Sequence, residues 1–187
     1  MSVIAVASDG TRCCMAADSQ IILGGSTKAT IGSPKIMRLG PLLVGADGTL
    51  AMGDAFRYHG SELQVPETLP LALSEWVARV VVPWLRAYCK SADLMEKGED
   101  GALQLPAQTL IAYKSEFCHV DYAGAATQLT NPWWAIGSGG AVARGAMFES
   151  ANQEHVGTDE IVLAGVRAAC EFDLGCSLPA IHLWTEP

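Results

Sequence analysis

The sequence MSVIAVASDGTRCCMAADSQ, residues 1–20, predicts a β-hairpin at the start of the printed chain. Ser2–Ala7 and Arg12–Ala17 have the apolar composition of buried strands. The Asp9-Gly10 pair between them is a favoured turn dipeptide for a tight hairpin. Asp18-Ser19-Gln20 follows the second strand.

Ser2 is a candidate nucleophile because it directly follows Met1. If Met1 is removed, the serine hydroxyl carries its own α-amine. Such an amine has a pKa of about 7.7–8.0, so a useful fraction is neutral near pH 7. It can then act as the general base for its own hydroxyl, without a histidine.

The composition indicates one globular domain, predicted to span residues 1–187. The formal net charge is −8, from 12 Lys and Arg against 20 Asp and Glu, so no basic footprint for nucleic acid is expected. No apolar run approaches the roughly 20 residues of a membrane-spanning helix. No membrane association is therefore predicted.

The six cysteines lie at positions 13, 14, 89, 118, 170 and 176, with no CxxC pair and no zinc-ligand spacing among the four histidines. Reduced thiols in a cytoplasmic protein are the expectation. No metal and no cofactor are predicted.

Further strands are predicted at Leu42–Val44, Thr109–Tyr113, Phe117–Asp121, Trp133–Ile136 and Ala180–Trp184. Helices are predicted from Leu50 to about Glu62, from Pro66 to about Tyr88, over Ala141–Ser150 and over Thr158–Phe172, with Thr158 as the N-cap of the last. The order is strands, two helices, strands, two helices, strand. It favours an α+β fold of stacked antiparallel sheets flanked by helix pairs.

Separated motifs in this chain resemble those of the proteasome β-subunit family of N-terminal-nucleophile hydrolases. They are Ala16-Ala17-Asp18-Ser19-Gln20, Ser33–Leu39 (SPKIMRL), Gly45–Thr49 (GADGT) and Ala135–Gly140 (AIGSGG). The resemblance extends over nearly the whole chain, is best at residues 2–56 and 135–149, and is nearest to HslV-type peptidases and related bacterial homologues. It implies a four-layer αββα sandwich.

The resemblance assigns catalytic roles to Ser2, Asp18 and Lys35. Ser2 Oγ would attack the scissile carbonyl, and the liberated amine would take its proton. Lys35 would stabilise the forming alkoxide, while Asp18 would pair with Lys35 and hold it in position. An ordinary ion pair at a strand end is the simpler reading of Asp18 and Lys35.

Three further site residues are expected beside this triad. Gly48 is the candidate oxyanion donor through its backbone N–H, with Gly45 as the alternative. Ser138 would hydrogen-bond the amine, although a serine before a helix can also be a simple cap. Asp173 would be an acid close to the amine, with Glu171 as the alternative.

The implied activity is that of a peptidase subunit in a self-compartmentalised protease, assembled as a homo-oligomer in stacked rings. Substrates would be peptides or unfolded proteins, and folded ones would need a partner unfoldase, an ATPase, since this chain has no P-loop. Two departures leave alternatives open: the family nucleophile is usually threonine, and a retained Met1 would block the amine. A proteolytically inactive ring-forming protein and a small-amide hydrolase without a chamber are those alternatives.

Overall fold

The first sheet is built around the hairpin at the start of the chain. A computed structural model describes residues 1–187. The sheet has strand order β12-β1-β2-β13 and is antiparallel throughout. Its strands are β1 (Ile4–Ser8), β2 (Cys13–Ala17), β12 (Trp133–Ile136) and β13 (Ile181–Trp184). The Asp9 carboxylate closes the predicted turn by accepting hydrogen bonds from the Thr11 and Arg12 N–H groups at 2.7 and 2.8 Å.

The second sheet has strand order β11-β10-β9-β6-β5 and is also antiparallel. Its strands are β5 (Ile36–Leu39), β6 (Leu42–Ala46), β9 (Thr109–Tyr113), β10 (Glu116–Val120) and β11 (Ala126–Gln128). The remaining four strands form two separate hairpins. One pairs β3 (Gln20–Leu23) with β4 (Thr27–Thr30), and the other pairs β7 (Glu96–Lys97) with β8 (Leu103–Gln104).

The helices form two groups. In the first group, α1 (Leu50–Asp54) continues through a π-helical turn (Ala55–His59) and a 3₁₀ turn (Gly60–Leu63). In the same group, α2 (Leu73–Trp76) continues through a π-helical turn (Val77–Val81) into α3 (Val82–Ser91). α4 (Gly140–Ala151) and α5 (Thr158–Phe172) pack against each other. The α+β class predicted from the sequence is confirmed.

Three apolar clusters hold these elements together. One joins inward-facing side chains of both sheets, among them Ile4, Met15, Leu43 and Leu110. A second joins the first sheet to α4 and α5, and a third joins the second sheet to α1–α3. Their burial supplies the main favourable free energy of folding.

Two predicted helix starts are wrong. The helix predicted from Pro66 begins at Leu73, because Pro66 and Pro70 each remove a backbone donor. Pro83 lies inside the helix, where the π-helical turn Val77–Val81 passes into α3. The last long helix is capped by Gly157 rather than Thr158: the Glu160 carboxylate accepts the Gly157 N–H at 2.9 Å. Thr158 is the first helical residue.

No helix of the protein is long and apolar enough to cross a membrane.

Candidate active site

Strand pairing places five chain segments at one end of the two sheets. Because Ile4 pairs with Ala17, Val3 faces Asp18 just beyond the paired region. Ile4 also pairs with Ile136, which brings the turn after β12 to the same end. In the second sheet, Ile36 pairs with Gly45, so the residues before β5 and after β6 are neighbours. Ser2, Asp18, Lys35, Gly48 and Ser138 all lie on these segments.

Asp18 is the centre of a buried hydrogen-bond network. Its side chain is completely buried and accepts the N–H groups of Val3 at 3.0 Å and Gln20 at 2.9 Å, with a longer bond from Ser177 N–H at 3.4 Å. Lys35 Nζ lies 2.8 Å from Asp18 Oδ1, and only 7 % of the lysine side chain is exposed. An ammonium this deeply buried is tolerated because a carboxylate faces it directly.

Lys35 also reaches the candidate nucleophile. Its Nζ donates a hydrogen bond to Ser2 Oγ at 3.0 Å. Ser2 is 5 % exposed, and its Oγ donates to the Met1 carbonyl oxygen at 2.7 Å. The structure therefore brings the hydroxyl, the lysine and the aspartate predicted from the sequence into one connected chain of contacts.

The turn after β12 fixes the backbone of Ser2. The Ser2 N–H donates to Ser138 Oγ at 3.2 Å, and the Ser2 carbonyl oxygen accepts from Gly139 N–H at 3.2 Å and from Ser138 Oγ at 3.4 Å. Gly137 has φ +93°, and a Cβ there would overlap the Ser2 carbonyl oxygen. This close approach requires glycine.

Gly48 lies in the turn that follows β6, with φ +77°. Its exposed N–H has no hydrogen-bond acceptor within the chain. A Cβ at Gly48 would lie 3.0 Å from the Ala107 Cβ and would overlap the Pro106 carbonyl oxygen, so a larger residue would displace the turn. Gly45, the alternative donor, lies within β6, where a Cβ would meet Ile4 Cγ2 at 2.7 Å in the space between the sheets. Of the two glycines, therefore, only Gly48 borders the cavities beside Ser2.

Asp173 lies apart from these contacts. It follows the last residue of α5, and its Oδ1 accepts the Gly175 N–H at 2.6 Å. It makes no hydrogen bond to Ser2 or Ser138, and Glu171 is an exposed residue of α5 without a side-chain partner. The segment itself is close to the site, since a Cβ on Gly175 would lie 3.0 Å from Met1 Cγ.

Two cavities open on either side of Ser2 and Gly48. The first cavity, about 270 Å³, has 13 lining residues, of which six are apolar, among them Ile21, Ile22 and Ala46. The second cavity, about 310 Å³, is lined by Asp47, Gln108, Tyr122, Gly137 and Ser138. Met1, Ser2 and Gly48 border both cavities.

The sequence analysis missed Asp47 and Gln108. Because Ala46 pairs with Thr109, these two residues face each other just beyond the paired strands. Asp47 N–H donates to the Gln108 carbonyl oxygen at 3.1 Å, and Gln108 N–H donates to Asp47 Oδ1 at 2.7 Å. Burial raises the pKa of Asp47, against the lowering effect of the Gln108 hydrogen bonds and of the positive chain terminus. Only the position of Asp47 beside Gly48 could have signalled its place in the site.

No group of histidine, cysteine and acidic residues is arranged to hold a metal ion. All six cysteines are free thiols. Five of them are buried, and Cys170 is half-buried. Burial raises the pKa of Cys176, next to the site, to about 12. This thiol is therefore a poor nucleophile at neutral pH.

Solved structures show which fold this arrangement belongs to. BPH from Thiobacillus denitrificans, in complex with epoxomicin, superposes with a TM-score of 0.83 at 21 % identity, covering 98 % of each chain. Eukaryotic HslV from Trypanosoma brucei gives 0.72 at 17 % identity over 99 % of each chain. Anbu, an ancestral beta-subunit from Yersinia bercovieri, gives 0.69 at 14 % identity over 98 % of this chain and 81 % of its own.

The protein therefore has the proteasome-type fold of N-terminal-nucleophile hydrolases, and the predicted resemblance is confirmed at the level of the fold. No protein-family model matches the sequence. No curated protein matches it either.

Proposed function

We propose that this chain is the peptidase subunit of a proteasome-like, self-compartmentalised protease. Ser2 would be the nucleophile once the Met1–Ser2 peptide bond has been broken. The observation that carries the proposal is the position of Lys35 Nζ, 3.0 Å from Ser2 Oγ and 2.8 Å from Asp18 Oδ1. A positive charge at that distance stabilises negative charge developing on the hydroxyl oxygen.

The acylation step uses groups that already surround Ser2. The liberated amine takes the hydroxyl proton, Oγ attacks the substrate carbonyl carbon, and the carbonyl oxygen gains negative charge. The unpaired N–H of Gly48 is the proposed donor to that oxyanion. A single donor of this kind contributes about 2.7–4 kcal/mol in known hydrolases.

The proton then moves to the leaving nitrogen. With Met1 attached, Ser2 nitrogen lies 3.2 Å from Ser138 Oγ, and the same hydroxyl would orient the liberated amine. Transfer to the nitrogen breaks the peptide bond and leaves an acyl ester on Ser2, which water hydrolyses by the same sequence of proton transfers. For Asp173 to bind the amine, the turn closed by the hydrogen bond from Gly175 N–H to Asp173 Oδ1 would have to rearrange.

The assembly proposed with this activity is supported by the likeness of the fold to proteasome-type proteins. The two sheets and two helix groups would stack as a four-layer αββα sandwich in one domain, residues 1–187. Subunits would form stacked homo-oligomeric rings in the cytoplasm, with the cavities beside Ser2 facing an internal chamber. Unfolded proteins and peptides would be the substrates, delivered by a separate ATPase unfoldase.

A second candidate, a proteolytically inactive ring-forming protein of the same fold, is favoured by one observation. Asp173 makes no hydrogen bond to Ser2 or Ser138, and its Oδ1 accepts the Gly175 N–H. In addition, Ser2 nitrogen is an amide while Met1 is attached, so it has no free lone pair for proton transfer. Oligomer size separates either candidate from a small-amide hydrolase that acts without a chamber.

The decisive experiment combines intact mass with labelling. The purified protein is weighed, then treated with an inhibitor directed at an N-terminal hydroxyl, and cleavage of an unstructured peptide is followed. We expect a mass lacking methionine, a single label on Ser2, and loss of turnover in Ser2→Ala with the assembly intact. Ser150→Ala, which removes a buried hydroxyl from α4, is the matched control and should keep full activity.

A retained methionine, or undiminished cleavage by Ser2→Ala, would overturn the peptidase assignment. The first result together with an intact ring would support the inactive candidate instead.

A further inference from the structure

We propose that the second cavity binds a basic side chain of the substrate on the leaving side of the scissile bond, with Asp47 as its counter-ion. This inference rests on the proposed function. It assigns a role to a cavity and to an acidic residue that the acylation chemistry leaves unused.

The side of the cavity follows from the proton path. The leaving nitrogen must come within hydrogen-bond reach of the Ser2 amine, which returns the proton to it. Ser2 nitrogen faces Ser138 Oγ at 3.2 Å, and Ser138 lines the second cavity but not the first. The second cavity is therefore on the leaving-group side.

The charge of the cavity comes from one residue. Its lining consists of Met1, Ser2, Asp47, Gly48, Gln108, Tyr122, Gly137 and Ser138, and Asp47 has the only charged side chain among them. Asp47 is 5 % exposed, so its charge is poorly screened by solvent. A basic side chain entering the cavity would meet a carboxylate and no competing cation from the lining side chains.

Asp47 keeps one carboxylate oxygen free for such a partner. Oδ1 accepts the Gln108 N–H at 2.7 Å, while Oδ2 has only a long bond of 3.4 Å from Gln108 Nε2. That amide nitrogen also lies 3.3 Å from the Tyr122 hydroxyl, and His119 Nε2 binds Gln108 Oε1 at 2.8 Å. The carboxylate is thus held in place by one oxygen while the other is available.

The chain itself provides a stand-in for the ligand. Met1 is attached through Ser2 nitrogen, which faces Ser138, and it borders the second cavity as well as the first. The positive charge of its amine is among the influences that lower the pKa of Asp47. Removal of Met1 would move the terminal amine to Ser2 nitrogen, beside Ser138, and take the Met1 residue out of the cavity lining, which leaves room near the carboxylate for a substrate cation.

The test uses peptides that are identical except for the residue directly after the cleaved bond, which is Lys, Gln or Glu. We expect kcat/KM to be about tenfold higher for Lys than for Glu, because a buried charged hydrogen bond is made in one case and a repulsion in the other. Gln should lie between them. Equal rates for the three peptides in the wild-type protein overturn the inference without any variant.

The variant test is Asp47→Asn, in which the amide oxygen can still accept the Gln108 N–H. We expect the Lys-to-Glu ratio to fall close to one, while Glu149→Gln, an exposed charge removed from α4, keeps the wild-type ratio. An equal loss of rate for all three peptides, with the ratio kept, would show that Asp47 only holds the turn and would overturn the inference. No Ser2-dependent cleavage of any peptide would refute the proposed function itself, and this inference with it.

Discussion

Removal of the Asp18 carboxylate should be among the most damaging single changes to the stability of this protein. Asp18→Ala leaves the Lys35 ammonium without its counter-ion, although only 7 % of that side chain is exposed. It also removes the acceptor of two buried N–H groups, those of Val3 and Gln20. Breaking one partner of a buried ion pair costs about 3–5 kcal/mol, since the remaining charge is left uncompensated.

The converse change should cost less. Lys35→Met leaves the Asp18 carboxylate buried, yet the carboxylate keeps hydrogen bonds from the N–H groups of Val3, Gln20 and Ser177. We expect the loss of unfolding free energy in Asp18→Ala to exceed that in Lys35→Met by at least about 1 kcal/mol, the contribution of one such hydrogen bond.

The assay is thermal and urea unfolding of both variants at one protein concentration, because assembly makes the apparent stability concentration-dependent. For a chain of this size, about 3–5 kcal/mol corresponds to a fall in Tm of about 6–20 °C. Asp9→Ala is the matched control: Asp9 also accepts two backbone N–H groups, but it lies exposed at the first hairpin turn. The reasoning is refuted if Asp18→Ala costs no more than Asp9→Ala, or if Lys35→Met is the more damaging of the pair.

Three further outcomes are expected. Gly137→Ala should lose about 2 kcal/mol or more, because φ is +93° and its Cβ would overlap the carbonyl of the candidate nucleophile; Gly145→Ala, with open space around it in α4, should not be destabilised in urea unfolding. Burial raises the pKa of the Cys118 thiol to about 12 and that of Cys170 to about 11, so a thiol reagent at pH 8 should label Cys170 first and Cys118 only after denaturation. Burial lowers the pKa of His119, so the unfolded chain binds more protons and stability should fall as pH drops below about 6.5 toward the folded pKa; His119→Gln should flatten this part of the pH–stability curve.

The sequence predicted the parts of the fold that have strong local signals. The first hairpin has an Asp-Gly turn and two apolar strands, and α5 has a clear amphipathic pattern with two acidic residues in its first turn, so these elements lie close to their predicted positions. The hairpin of β3 and β4 is not predicted, because Thr27–Thr30 has no large apolar side chain and gives no alternation of buried and exposed residues. β5 was missed for a related reason: it is four residues long and begins directly after a proline-lysine pair.

The site was predictable where a motif marked it and unpredictable where only the fold creates it. Ser2, Asp18 and Lys35 are far apart in sequence, and the family resemblance, not their spacing, proposed that they meet. Gln108 carries no motif and lies in a connecting segment. It reaches the site because Ala46 and Thr109 pair in the second sheet, and that register cannot be read from either strand alone.

The Ser2 hydroxyl is aligned by contacts that do not depend on removal of Met1, whereas the amine proposed as its base appears only after that removal. Lys35 already binds Ser2 Oγ and Asp18 while Met1 is attached, so this alignment does not depend on a free amine. What Met1 changes is the opposite side of the hydroxyl, where its carbonyl oxygen accepts the Oγ proton at 2.7 Å. Breaking the Met1–Ser2 bond removes that acceptor and creates an amine in its neighbourhood, so a single covalent change converts a held hydroxyl into one with a base. Serine lacks the β-methyl group that restricts threonine rotamers. In this protein the hydrogen bond from Lys35 Nζ to Ser2 Oγ restricts the side chain instead.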